Sequence, residues 1–427
     1  MSASNPQLVQ IEKPVYGGAF LARVEGKAVF VPLTLPGEEA RIRVVEDKRG
    51  YALAEAEEIV SAAPARITPG CPHFGVCGGC HYQHTDYEAQ IGFKKAILRE
   101  TLERAGVRAL PEIAVCAADP WKYRNRIRLA FDAAGNPGYR GRRSHAVVPV
   151  SECPIAAPSL LKAATAFAAT LRESRLPLRP TEISLFCNGE ESALLATVLV
   201  AAPGKFRIDD LARAFQERVP ELQGLELVIE SRKGEPPRTL ARWGATSLTY
   251  RAAGFDYRVD HGSFFQVNRW LVDALVERVT EGRRGKLAWD LFAGVGLFAR
   301  QLAATFEHVV AVESAPSAIE ALKENLTNTH SESVKAETLA FLRRQPPSIV
   351  PDLIVVDPPR VGLGPETTTQ LTRIAAPEIV YVSCDPATLA RDLRALLNSG
   401  YAIESITLVD LFPQTFHLET VVALRRA

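Results

Sequence analysis

The run CPHFGVCGGC sets Cys71, Cys77 and Cys80 within ten residues, and its glycines and proline let the backbone curl round a common point. Thiolates so spaced can converge on one soft metal centre, which a fourth ligand would close. Cys153, in VSECPIA, is the best-placed fourth, because a proline follows it in a loop-like setting. Cys-x5-Cys-x2-Cys is not a zinc-ribbon spacing, so an iron–sulfur cluster ranks above zinc or no metal at all. A fourth cysteine would leave no iron open, which points to a structural site. Cys116 and Cys187 sit among apolar neighbours and read as small buried side chains.

Another thiol stands apart from these. VDPPR (356–360) and VSCDP (382–386) each end a strand on the carboxyl edge of a βαβ pattern, where ligands bind in such folds. Cys384 lies just before a helix that starts near Pro386, so the helix dipole is expected to lower its pKa towards neutrality. A core cysteine is the plainer alternative. Glu419 leads into the apolar run TVVAL, an awkward place for a carboxylate unless it points into a site, and Asp410 and His417 precede it closely. Gln266, in HGSFFQVNRW, offers an amide to a cofactor or a base edge.

LAWDLFAGVGLFA reads as a strand, a tight glycine turn and the start of a helix, with Gly294, Gly296 and Ala299 in the G-x-G-x-x-A pattern. That pattern also suits a dinucleotide. Asp290 argues against one, since a carboxylate at the strand tip opposes a pyrophosphate but suits the cationic amino-acid end of S-adenosylmethionine. Glu313 ends the next strand, where an acid can accept hydrogen bonds from ribose hydroxyls. Between Trp121 and His145, seven basic residues (Lys122, Arg124, Arg126, Arg128, Arg140, Arg142, Arg143) face the single acid Asp132, with Trp121, Tyr123, Phe131 and Tyr139 interleaved. The alternating arginines of YRNRIRLAF fall on one strand face, a strip suited to phosphates and unstacked bases, or else an ordinary solvated face.

The elements that must position these residues follow from length and pattern. The 427 residues suggest two or three domains. Lys plus Arg total 50 against 49 for Asp plus Glu, which excludes a chain that is wholly a polycation or an acidic disordered tail but allows a local basic groove. A polar N-terminus and the lack of any apolar run near the roughly 18–20 residues of a bilayer span argue for a cytoplasmic protein with no membrane partner. Nothing in the sequence demands more than a monomer. Residues 1–62 read as about five short strands with turns at Gly17-Gly18 and Pro36-Gly37, an OB-like β-barrel. Residues 63–260 read as a central α+β unit with a helix near 86–105, and 261–427 as a doubly wound, mainly parallel α/β sheet.

CPHFGVCGGCHYQH, YRNRIRL, FFQVN, DLFAGVGLFA, VDPPR, VSCDP and FPQTFHLET occur in the order of the RNA uracil-5 methyltransferase family, and over nearly its whole length the chain resembles that family's iron–sulfur branch, which makes 5-methyluridine in 23S rRNA. The resemblance implies a TRAM-like RNA-binding barrel, a central iron–sulfur domain and a Rossmann-like methyltransferase domain. It places the nucleophile on Cys384 and the general base on Glu419. Contacts to S-adenosylmethionine fall on Gln266, Phe292, Gly294, Glu313 and Asp357, and the ligands of a 4Fe–4S cluster on Cys71, Cys77, Cys80 and Cys153. The chain departs from the family pattern at Ala293, Leu297, Glu337 and Asp385. The implied partner is RNA, 23S rRNA first and the T-loop uridine of tRNA second. An iron–sulfur NAD-dependent oxidoreductase and a non-catalytic RNA-binding protein are remoter readings, since they leave Cys384 and Glu419 without a role.

Overall fold

The computed structural model describes residues 6–174, 176–202, 207–231 and 237–426. At the N-terminus, Gln7–Gln10, Lys13–Pro14, Ala19–Val24, Lys27–Pro32, Glu39–Asp47 and Tyr51–Ser61 form one six-stranded sheet. Its two edge strands, Gln7–Gln10 and Lys13–Pro14, are neighbours in the chain, so the sheet curls back on itself as a barrel. Alternate residues, among them Phe20, Ala22, Val29, Val31, Ile42 and Ala54, fill its interior. Tyr82, Phe93 and Phe416 complete that core from outside the barrel.

The central unit is built on a seven-stranded sheet, from Val147–Pro149 at one edge to Arg238–Gly244 at the other. The two-residue period of a strand divides its side chains between two faces. Ile127, Leu129, Ile183, Leu185, Val198 and Leu225 share an apolar core with residues of the helices Pro158–Ser174 and Ile208–Gln216. Arg126, Arg128, Glu182, Ser184 and Thr197 point the other way and line a cavity.

The C-terminal sheet has eight strands in the spatial order Ser331–Lys335, Phe306–Glu313, Gly285–Leu291, Leu353–Val356, Glu378–Ser383, Thr420–Arg426, Tyr401–Val409 and Ile113–Cys116. The first five are mutually parallel, and Thr420–Arg426 enters antiparallel. Strand order reverses between Gly285–Leu291 and Leu353–Val356, which opens a crevice at their carboxyl ends.

The boundaries read from the sequence differ from this arrangement in two places. The helix Tyr87–Arg104, capped by Asp86 accepting from Ala89 N–H, and the strand Ile113–Cys116 pack with the C-terminal sheet, where Ile97, Leu98, Leu102 and Ile113 join the core of Trp289 and Tyr381. The hairpin of Ser247–Ala252 and Phe255–Asp260 also packs there, through Leu248, Tyr250, Tyr257 and Val259. The stretch 63–260 is therefore shared between two units. Pattern alone assigned it to one because sequence neighbours need not share a core.

A buried ion pair ties the early helix to the end of the chain. Lys94 and Asp410 are about 0% and 1% exposed and joined by a hydrogen bond. Lys94 Nζ also donates to Phe412 O at 2.9 Å, and Tyr87 OH donates to Asp410 Oδ2 at 2.8 Å. Lys94→Met would strand a buried carboxylate, at a cost of about 3–5 kcal/mol. That loss should appear as a lower urea midpoint, and Lys94→Met/Asp410→Asn should recover part of it.

Candidate active site

Four parallel strands end side by side at residues 291, 313, 356 and 383, and the loops leaving these four tips build the site. After Leu291 the chain turns sharply: Phe292, Gly294 and Gly296 all have positive φ, of 67°, 57° and 90°. Gly296 is needed twice over, since an added Cβ would also come within 2.8 Å of Leu322 Cδ1. Two carboxylates brace the turn. Asp290 Oδ2 accepts from Ala299 N–H at 2.8 Å, and Glu313 Oε2 accepts from Gly294 N–H at 2.8 Å. Glu313 Oε1 accepts from Ser314 and Ala315 N–H at 2.7 and 2.6 Å, so three of a carboxylate's roughly four acceptor positions are engaged.

Asp290, expected to face a cationic cofactor end, is instead fully buried and shapes the turn, with Oδ1 left unpartnered. Burial, with Asp357 and Glu313 nearby, pushes its carboxyl up to about 7. Asp357, just past the strand Leu353–Val356, is likewise pushed up to about 7 by burial. Leu297 and Ala293 sit in the apolar core and offer no polar group, which accounts for two of the departures from the family pattern.

Cys384 and Glu419 meet because of strand register. Ser383 pairs with Thr420 in the antiparallel ladder, which sets the next residue on one strand opposite the preceding one on its partner. Cys384 is half-buried, and Glu419 is 5% exposed. The Asp385 carboxylate caps the helix Pro386–Leu397, accepting from Ala387 and Thr388 N–H at 3.0 and 2.9 Å. The expected low thiol pKa is overturned. Burial, then the neighbouring Glu419 and Asp357, push Cys384 up to about 11, against the lowering by Arg360. Glu419 is itself held well above the ordinary carboxyl range by burial and Asp357, again against Arg360.

Arg360 is thus the cation of this edge, a residue quoted in VDPPR yet given no role from sequence. Its Nη2 lies 3.2 Å from His417 Nδ1. Burial first, then Arg360 and other cations, lower His417 to about 3, so it stays neutral. Gln266 is 5% exposed, and its backbone carbonyl accepts from Asn125 Nδ2 at 2.9 Å.

The four cysteines line one cavity of about 690 Å³, together with His73, His81, Gln83, Arg124, Tyr139 and His417. Among the described residues, no three His, Cys, Asp or Glu gather closely enough to hold a single metal ion. The cavity is nonetheless short of partners: His73 Nε2, His81 Nδ1, Gln83 Oε1, Arg124 Nε and Arg126 Nε are buried without hydrogen bonds. The ionisable neighbours of Arg124 are Tyr123, Tyr139 and Cys80, none of them a carboxylate. Burial raises the thiols of Cys71 and Cys77, and pushes Cys80 up to about 12.

The arginine strip is also corrected. Arg126 stacks on Phe186 at 4.3 Å and donates to Ser263 O, and Arg128 pairs with Glu182 at 2.7 Å. Lys122, Arg128, Arg140 and Arg143 are exposed, and Arg142 is partly buried beside Glu55. Arg140, Arg142 and Arg143 border a groove of about 450 Å³ against Gly17, Gly18 and Ala19 of the barrel.

One segment joins the two sites. His81 and Tyr82 N–H both donate to Gln414 O, at 2.8 and 3.0 Å, and Tyr123 OH donates to Pro413 O at 3.0 Å. Gln90 and Gln414 exchange two further bonds of 3.0 Å. Residues 412–417 thus tie the cysteine loop to the strand that carries Glu419.

A doubly wound sheet with a glycine turn, a thiol and carboxylates along its carboxyl edge defines an α/β enzyme of the methyltransferase type. Residues 348–427 match the family described as tRNA (Uracil-5-)-methyltransferase, and residues 6–56 match the TRAM domain. A protein of Streptomyces avermitilis named as an uncharacterized RNA methyltransferase is 36% identical, over 98% of either chain. A Shewanella frigidimarina protein named 23S rRNA (uracil(1939)-C(5))-methyltransferase RlmD is 34% identical, over 95% of this chain and 92% of its own. The solved structure of Pyrococcus abyssi tRNA (uracil-54, C5)-methyltransferase, in complex with S-adenosyl-L-homocysteine, has the same fold: TM-score 0.79, 24% identity, 98% of this chain and 100% of the other covered. The chain belongs to the RNA uracil-5 methyltransferase family.

The buried carboxyl behind the turn gives a test of this geometry. An acid raised on folding stabilises the fold fully below its unfolded value, here 3.8, and that contribution is lost as pH rises through about 7. Stability of the ligand-free protein should therefore fall between pH 4 and 8, and Asp290→Asn, which keeps an acceptor for Ala299 N–H, should flatten the fall in urea titrations.

Proposed function

We propose that the chain methylates carbon 5 of a specific uridine in 23S rRNA, through a covalent adduct of Cys384. The observation that carries this is the register of Ser383 with Thr420, which sets Cys384 and Glu419 just beyond the same rung, on the carboxyl edge that also carries the glycine turn. Glu313, Asp357 and Glu419 lie at the ends of strands along this edge, with Arg360 near Glu419, an arrangement suited to a cationic ligand and hostile to a pyrophosphate. S-adenosylmethionine supplies an electrophilic methyl group on a sulfonium. Phe292, Gly294, Glu313, Asp357 and Gln266 would hold it.

Carbon 5 of uracil is too weak a nucleophile unaided. The Cys384 thiolate adds to carbon 6, and the resulting enolate makes carbon 5 nucleophilic. After carbon 5 has taken the methyl group, Glu419 removes its proton, and the sulfur–carbon 6 bond breaks to release the thiolate. Arg360 is the neighbour that favours the thiolate, against burial and the carboxyls. The uridine must leave its stack to expose both ring faces. The groove lined by Arg140, Arg142 and Arg143 would grip flanking phosphates.

Cys71, Cys77, Cys80 and Cys153 would hold a 4Fe–4S cluster. Four thiols around one cavity, too dispersed for one ion, suit a group that gives each thiolate its own iron, and the Arg124 guanidinium, whose Nε lacks a partner, suits its negative charge. Bound there, the cluster would brace the loop that touches Gln414, with no redox step in the reaction. The 23S substrate is supported by relatives named for that activity at 32–34% identity over most of this chain.

RNA carrying 5-fluorouridine should accumulate a covalent adduct with the wild-type protein and none with Cys384→Ala, read as a shifted band on denaturing gels. Glu419→Gln should slow turnover by about a hundredfold or more and trap an adduct on ordinary RNA. Mass mapping of 5-methyluridine in rRNA and tRNA from a deletion strain decides the substrate; loss from tRNA alone would overturn the 23S reading. Anaerobically prepared Cys153→Ala should lose iron and sulfide relative to wild type, and equal iron in both would remove the cluster proposal.

A further inference from the structure

The turn that presents Arg360 is fastened to the helix that follows Cys384. Pro359 O accepts from Gly362 N–H at 2.8 Å, which closes residues 359–362 into a tight turn, and Gly362 leaves it with a φ of 72°. Three side chains of the helix Pro386–Leu397, at spacings of three and four residues from Thr388, meet the turn from one face. Thr388 Oγ1 donates to Arg360 O at 3.1 Å, and Arg391 Nη2 donates to Val361 O at 2.8 Å. Asp392 Oδ2 accepts from Leu363 N–H at 2.7 Å. The fit leaves no room at Gly362, where a Cβ would come within 2.5 Å of Asp392 Oδ2.

Asp392 is the centre of this clamp. It is 1% exposed, and both its oxygens are engaged: Oδ2 also accepts from Tyr381 OH at 2.8 Å, and Oδ1 accepts from Arg391 Nε at 2.8 Å. Tyr381 belongs to the strand Glu378–Ser383, which runs into Cys384. One carboxylate therefore joins the strand before the thiol, the helix after it and the turn of Arg360. Leu389, Leu393 and Leu396 already pack this helix into the core, so packing alone does not account for a buried acid among them. From the clamped turn the Arg360 side chain reaches the segment of the other reacting group. Its Nη2 lies 3.2 Å from Nδ1 of His417, two residues before Glu419.

We propose that Asp392 is a positioning residue of the active site: by holding residues 359–363 against the helix, it fixes the Arg360 guanidinium between the elements that carry Cys384 and Glu419. This rests on Cys384 being the nucleophile. Arg360 favours the thiolate against burial, Glu419, Asp357 and Asp385, so a displaced turn leaves the thiol harder to ionise.

Asp392→Ala removes the acceptor for Leu363 N–H, whereas Asp392→Asn keeps one. In Asp392→Ala, kcat for RNA methylation should fall about tenfold or more at unchanged KM for RNA. The pH midpoint for iodoacetamide alkylation of Cys384, followed by peptide mass spectrometry on the full-length protein, should move up. Asp392→Asn should restore most of both. Tyr381→Phe takes a bond from the same carboxylate but leaves the turn attached, and should change neither. Arg391→Met, at an exposed position, cuts the bond to Val361 O and should raise the midpoint too, so a failure of Asp392→Ala to fold leaves the test intact. With Arg360→Met already in place, neither variant should move the midpoint further. A further shift there, or an unchanged midpoint in Arg391→Met, would overturn the proposal. So would losses in Tyr381→Phe equal to those in Asp392→Ala, which would mark a purely structural role. Absence of a 5-fluorouridine adduct with the wild-type protein would instead sink the nucleophile assignment, so the two failures are distinguishable.

Discussion

Carboxyl groups and a thiol crowd the carboxyl edge of one sheet, and much of the rest of the molecule is arranged around keeping them there. Like charges at such distances in a poorly hydrated place cannot all ionise. The protein manages this by giving the acids different partners. Glu313 takes backbone N–H groups from the glycine turn and from the segment after its own strand, and Asp290 takes Ala299 N–H. Asp357 and Glu419 have little such compensation, and burial raises both. A positively charged ligand would favour their ionised forms.

That edge would not hold its shape if the last two strands were free to shift. The connection between them, from Asp410 to Leu418, is anchored at successive points to residues far earlier in the chain: Asp410 to Lys94, Pro413 to Tyr123, Gln414 to Gln90 and to the cysteine loop. Phe416 lies between Tyr16 and His81, against the barrel core. Each part of the chain outside the doubly wound sheet therefore has a contact with the segment that ends at Glu419.

Much of this was legible in the sequence, because local rules governed it. Turn glycines, alternation along the barrel strands and the βαβ rhythm gave the elements, and the helix read near 86–105 begins and ends within a residue of those bounds. Motif order identified the family. What escaped reading depended on distant partners. Nothing local distinguishes the strand Ile113–Cys116 from a strand of the central sheet. The helix start at Cys384 was visible, but the burial that raises the thiol, and the carboxyls of Glu419 and Asp357 that add to it, come from distant parts of the chain. Arginines that alternate along a strand look solvated until the structure covers their face, as at Arg126.

The shared sheet has a consequence for how the protein is made. Ile113 pairs with Ile406, so an edge strand leaves the ribosome 406 − 113 = 293 residues ahead of its neighbour. At ordinary synthesis rates that is a delay of roughly 15–60 seconds, during which Ile97, Leu98, Leu102 and Ile113 have no sheet to cover them. The barrel can close early, since its six strands are complete by Ser61. The catalytic unit cannot, because its core is assembled from both ends of the chain. Nascent chains of this enzyme therefore spend most of their synthesis with all six barrel strands made but with Ile97, Leu98 and Leu102 still lacking the core that covers them in the folded protein.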